Sequence, residues 1–162
     1  MGDNYLVLNG KRIDLTEEQI KTLGIELKKS PFERGGEYFY ITPQGNVTND
    51  FESNGCLTSE YRYKVGNYCT DEEIMKQRAL YETLNRLLWR FSMQNDGDKI
   101  NWNDNNHNKY RINFDYTIKE FFIYSNNFKK ENSIYFNTEQ TAERAIKEII
   151  MPFLKEHPDF IW

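Results

Sequence analysis

Residues 70–93 carry one continuous amphipathic pattern, and an element of that length has to be the spine of any fold built around it. Thr70-Asp71-Glu72-Glu73 reads as a capping box at its start. Ile74, Tyr81, Leu84, Leu88 and Phe91 then recur at three- and four-residue spacing, with Leu80 and Leu87 widening the stripe. That period predicts a helix with one buried face. Acids gather in its first turn, and Arg86 and Arg90 stand towards its end, an order that suits the helix dipole. About 24 residues in a helix span roughly 36 Å.

Downstream, a polar loop over 94–108 surrounds Ile100 and Trp102. Three strands in meander order are expected after it, at 109–116, 120–124 and 133–136. In the first, Tyr110, Ile112, Phe114 and Tyr116 share one face at a period of two. A last helix opens at Asn137 or Thr138 and places Ala142, Ala145, Ile146, Ile149, Ile150 and Phe153 on one stripe. Pro152 should kink or loosen it, and Pro158 should end it. The tail Asp159-Phe160-Ile161-Trp162 is apolar enough to be expected on the core.

Upstream, Asn9-Gly10 between apolar runs predicts a hairpin, because both residues tolerate positive φ. Thr16-Glu17-Glu18-Gln19 is a capping box for a short helix that buries Ile20 and Leu23 and stops at Gly24. Strands are expected at 37–42 and 47–51 around the turn Pro43-Gln44-Gly45-Asn46, a loop at 52–60, and a further short strand at 61–65. The expected architecture is α+β: long helix, antiparallel β-meander and C-terminal helix over 70–162, with a hairpin-helix and strand extension over 1–69. At 162 residues this is one domain. Eleven Tyr, eleven Phe and three Trp supply a core that the modest aliphatic count would not.

Several chemistries fail for lack of residues. Cys56, Cys69, His107 and His157 are scattered, without the short spacings of a zinc site. The loop alternates Asn101, Asn103 and Asn105, yet Asn106 stands where an EF-hand needs Gly and Ile112 where it needs Glu. No phosphate-cradling glycine loop, nucleophile elbow or HExxH helix occurs. No catalytic residue, cofactor or metal is therefore expected, although a Cys69–His107 nucleophile pair stays open. The start MGDNYLVLNGKRI has no apolar run of signal length, so a cytoplasmic protein with no membrane partner is expected.

Net charge is -4, without the basic stripe of a duplex binder. The candidate contact residues are Trp102, Trp89, Arg86, Arg90, Lys109 and Arg111. Arg78, Arg86, Arg90 and Trp89 could hold phosphate or stack on bases. Glu82, four residues from both Arg78 and Arg86, would neutralise those two. Trp89 is either at the edge of the core or an anchor for a partner. Trp102 either anchors a partner or folds back on the end of the long helix.

Three segments, GNYCTDEE at 66–73, ALYETLNRLLWRFSM at 79–93 and IYFNTEQTAERAIKEIIMPFLKEHPDF at 134–160, form a pattern that resembles small uncharacterised proteins encoded in phages and prophages of Firmicutes. The resemblance implies a mobile-element origin and an accessory role, and it carries no catalytic residue with it. Small phage accessory proteins without enzyme motifs act by binding, among them inhibitors of host defence systems such as CRISPR effectors. The favoured expectation is a protein-binding module whose partner is a host protein such as a defence nuclease complex, with homo-oligomerisation left open. The alternative is a nucleic-acid-associated phage protein that uses Trp89, Trp102, Lys109, Arg111 and Lys129-Lys130 on single strands or a nucleoprotein complex.

Overall fold

A computed structural model describes residues 5–24, 30–127 and 133–162. Its elements run β1 (Tyr5–Leu8), β2 (Lys11–Asp14), α1 (Glu17–Thr22), β3 (Glu37–Ile41), β4 (Val47–Phe51), α2 (Leu57–Lys64), α3 (Glu72–Gln94), a 3-10 turn (Gly97–Lys99), β5 (Lys109–Asp115), β6 (Glu120–Asn126), α4 (Glu139–Ala145) and α5 (Met151–Glu156). The strands pair as three two-stranded antiparallel sheets, β1–β2, β3–β4 and β5–β6. The fold is α+β, as expected.

Local chemistry sets most of these elements. Asn9 and Gly10 take φ of 51° and 76°, the left-handed pair that a tight hairpin turn requires. Thr16 and Gln19 form the full reciprocal capping box of α1. At α3 the cap is Asp71 rather than the first residue of the expected box: its side chain accepts from the Ile74 amide. Thr138 caps α4 by accepting from the Thr141 amide. Around Pro152 the helix loosens without ending. A π-helical turn over Ile146–Ile150 precedes the proline and joins α4 to α5, a wider winding that suits a helix in which Pro152 cannot donate.

The main core lies between α3, the β5–β6 sheet and the final helix. Leu84, Leu88 and Phe91 meet Phe136, Ala142, Ala145, Ile150, Phe153 and Phe160 there. Ile146 and Ile149 pack at its margin and are only half-buried. A second, smaller cluster joins Met75 and Ala79 to Ile41 and Cys69. The two clusters use different faces of α3, and this corrects the expected stripe. Ile74 and Tyr81 are exposed, and Met75 and Ala79 are buried in their place. The helix passes from the β3–β4 sheet to the β5–β6 sheet, so its buried line turns partway along.

Two further expectations fail. Residues 61–65 are not a strand, and 57–60 are not loop, because both lie in or beside α2. This helix is turned inside out: Leu57, Tyr61 and Val65 face solvent, while Ser59 is buried and Arg62 is half-buried against β3. Polar contacts with Tyr38 and Asp50 hold it, so apolar patterning gave no signal for it. The expected third strand, 133–136, makes a single bridge between Phe136 and Tyr110 and no ladder. The tail does dock. Gln77 donates to the Asp159 carbonyl at 2.9 Å and accepts from the Ile161 amide at 3.0 Å, and the Trp162 ring meets Phe121 edge-on at 4.9 Å. Among the described residues, no helix is long and apolar enough to cross a membrane.

Candidate functional site

The outward face of α3 carries an aromatic and cationic surface feature. The turn between β3 and β4 comes down on this face at Gly45, whose φ is 93°. A Cβ there would sit 3.3 Å from Arg86 Nη2 and 3.4 Å from Thr83 Oγ1, contacts that an exposed arginine can yield to, so it is the positive φ that favours glycine. Arg86 donates to Thr83 Oγ1 at 3.2 Å and lies 3.8 Å from Glu82, which takes Arg78 Nε at 2.8 Å. The expected sharing of Glu82 between two arginines is thus present. Arg90 follows one turn on and is exposed.

Trp89 stands between these arginines with 58% of its surface exposed. It forms a ridge between two hollows. One, of about 370 Å³, is lined by Pro43, Gln44, Thr83, Arg86, Leu87 and Arg90. The other, of about 360 Å³, is lined by Asn85, Arg86, Ser133 and Ile134. This second hollow continues, through Asn85, Ser133 and Ile134, into a crevice of about 170 Å³ floored by Leu84, Leu88 and Phe136. The result is a groove with a rigid aromatic ridge, two planar cations and an apolar recess.

The other expected contact residues do not join this groove. Trp102 meets Tyr135 edge-on at 5.2 Å and is 37% exposed, and the Tyr135 carbonyl accepts from Ser92 Oγ in the last turn of α3, so the ring packs beside that end of the helix rather than standing clear of the fold. The Asn95 amide donates to the Ser92 carbonyl there. Lys109 is a correction: it is fully buried, and its ammonium donates to the carbonyls of Asp104, His107 and Asn127 at 2.8, 2.8 and 2.9 Å. A cation with all three protons engaged below the surface cannot meet a partner. Arg111 is half-buried on β5, its guanidinium 5.1 Å from the centre of the Tyr124 ring. Lys129 and Lys130 lie outside the described residues. Of the six candidates, Trp89, Arg86 and Arg90 come together.

The sequence reading missed a polar cluster beneath the β3–β4 sheet. Arg62 Nη1 donates to the Tyr38 hydroxyl at 2.7 Å and to Asp50 at 2.8 Å, and Tyr38 also meets Ser59 at 3.1 Å. Next to it, Arg34 Nε donates to Glu52 at 2.7 Å, and the Tyr68 hydroxyl donates to the same carboxylate at 2.8 Å. The Tyr38 and Tyr68 rings stack at 4.2 Å and tie the two groups together. The alternate acids Asp50 and Glu52 were the available signal. Reading α2 as a strand hid the partner of Asp50.

These bonds hold both carboxyl groups below their ordinary range: Asp50 chiefly through Arg62 and the Phe51 amide, Glu52 chiefly through Arg34 and then Tyr68. A carboxylate depressed in this way stabilises the fold above its unfolded pKa, and the contribution is lost as pH falls through the folded value. The ordinary values are 3.8 and 4.5, so the loss should begin below about pH 4.5. The Asp50→Asn/Glu52→Gln variant is expected to melt lower than the parent at pH 7. Its melting temperature should also fall less between neutral and strongly acid pH. Parallel pH curves for the two proteins would show that the cluster does not set the acid response.

Cys69 and His107 belong to different neighbourhoods. Cys69 is buried beside Ile41 and Met75, where burial pushes its thiol up, while His107 Nε2 lies 2.8 Å from Asn137 Oδ1. Among the described residues, no three of His, Cys, Asp and Glu gather as metal ligands would. Comparison with family models, with curated proteins and with solved structures gives no match to this chain.

Proposed function

We propose that this chain is an accessory protein of phage or prophage origin that acts by binding a host protein rather than by catalysis, and that the host protein is a defence effector of the CRISPR type. The groove around Trp89 is its contact surface. The observation that carries the binding reading is Trp89 itself, a large rigid ring more than half exposed between two hollows and flanked by Arg86 and Arg90. Exposed Trp and Arg beside a recess have the chemistry that dominates interface energetics. The phage origin rests on the resemblance of the 66–73, 79–93 and 134–160 segments, and the defence target rests on that setting.

Single-strand binding is the weaker reading. It loses Lys109 to the interior, and it needs a basic track along the strand that Arg86 and Arg90 alone do not supply.

The test begins with tagged protein expressed in a host bacterium, identification of what co-purifies, and reconstitution of the pair. Trp89→Ala should weaken capture at least about tenfold, a change of about 1.4 kcal/mol, with melting within a degree or two of the parent. Trp102→Ala should capture as the parent does. Normal capture by a folded Trp89→Ala protein would remove the groove from this account. A partner with no role in host defence would correct the target and leave the groove in place.

A further inference from the structure

Resting on the reading of the Trp89 groove as a contact surface, we infer that its occupant is an acidic segment of a partner protein that presents an apolar side chain close to its carboxylates. Charge carries the first half of this inference. Arg86 lines the hollows on both sides of Trp89 and Arg90 lines the one beside Pro43, and among the described residues no Asp or Glu lines either. This strip lies on a chain whose net charge is -4. Glu82, beside it, cannot cancel the excess, because one carboxylate serves both Arg78 at 2.8 Å and Arg86 at 3.8 Å. Arg90 forms no ion pair among the described residues. Planar guanidiniums in this setting match carboxylates in a two-pronged geometry. The Thr83 hydroxyl already steadies Arg86, which reduces the ordering cost of that match.

The recess carries the second half. From the Asn85 side of Trp89 the surface drops into the crevice of about 170 Å³ over Leu84, Leu88 and Phe136. That space is apolar at its floor and suits a leucine or phenylalanine side chain held by neighbours that are already packed. A nucleic-acid strand would instead need cations repeated along its phosphates. The arginines here are confined to one turn of α3, so a short acidic peptide with one anchor fits better.

The experiment uses an array of short synthetic peptides with acidic, neutral or basic backgrounds, each carrying a central leucine, phenylalanine or serine. It is probed with the full-length chain, and single-stranded oligothymidylate serves as a competitor. Retention is expected on the acidic peptides with leucine or phenylalanine. It should fall at least about tenfold in Arg86→Glu/Arg90→Glu, in the milder Arg86→Gln/Arg90→Gln, and in Trp89→Ala. All three variants should melt as the parent does.

Retention that needs Trp89 but ignores peptide charge would overturn the acidic assignment and leave the groove standing. Retention untouched by Trp89→Ala would remove the groove as well. Displacement by oligothymidylate whose own binding needs both arginines would reassign the site to single strands and overturn the inference. Absence of retention on every peptide would also overturn it.

Discussion

Lys109→Met is expected to lower the unfolding free energy by about 3–5 kcal/mol, because it removes a buried cation on which three carbonyls depend. The side chain has no exposed surface, and its ammonium meets the carbonyls of Asp104, His107 and Asn127 within 2.9 Å. Two of those carbonyls belong to the loop before β5, and the third follows β6. One side chain therefore pins the loop to the open end of the sheet. Methionine keeps most of the aliphatic stem and so isolates the loss of the charge. Its cost lies in the carbonyls left without donors, a penalty that falls on groups removed from water. Lys109→Arg should not rescue the fold, since a flat fork cannot direct its protons at three convergent oxygens as a tetrahedral ammonium does. Urea denaturation checks both variants. A methionine variant within about 1 kcal/mol of the parent would mean that the three carbonyls reach water by local rearrangement.

Phe136→Ala should be about as damaging, at about 3–5 kcal/mol. The ring is 1% exposed and sits among Leu84, Leu88 and Ala145 in the main core. Its backbone holds the only bridge that the 133–136 segment makes among the described residues: the Phe136 amide donates to the Tyr110 carbonyl at 2.7 Å and the return bond is 3.0 Å. With no ladder to support it, the segment depends on that ring together with the buried Tyr135, whose carbonyl accepts from Ser92 Oγ. Phe122, on the outward face of β6 and 44% exposed, is the matched control, and Phe122→Ala should cost less than about 1 kcal/mol. Equal losses from the two changes would mean that the buried face of the β5–β6 sheet has been assigned to the wrong side.

The parts of this protein that could be read from the sequence are those decided within a few residues of chain. The Asn9-Gly10 turn, the Thr16–Gln19 box, the Thr138 cap and the extent of α3 each follow from groups that are neighbours in sequence. The exposed Trp89 beside Arg86 and Arg90 was half visible in the same way, since spacing placed Trp89 at the edge of the helical stripe and both arginines towards the end of the same helix. What tertiary structure alone decided is which of these groups meets something distant. The side of α3 that is buried near Met75 and Ala79 depends on the β3–β4 sheet, which lies beyond α2 in the sequence. Formation of α2 depends on Arg62 and Ser59 reaching Tyr38 and Asp50, contacts with no apolar period to announce them. The fate of Lys109 shows the limit most sharply. A lysine at the start of a strand looks like a surface charge, because ionisable groups stay in water unless partners compensate for its loss. Here the partners are backbone carbonyls at 104, 107 and 127, and only the closed fold brings those three oxygens to one point.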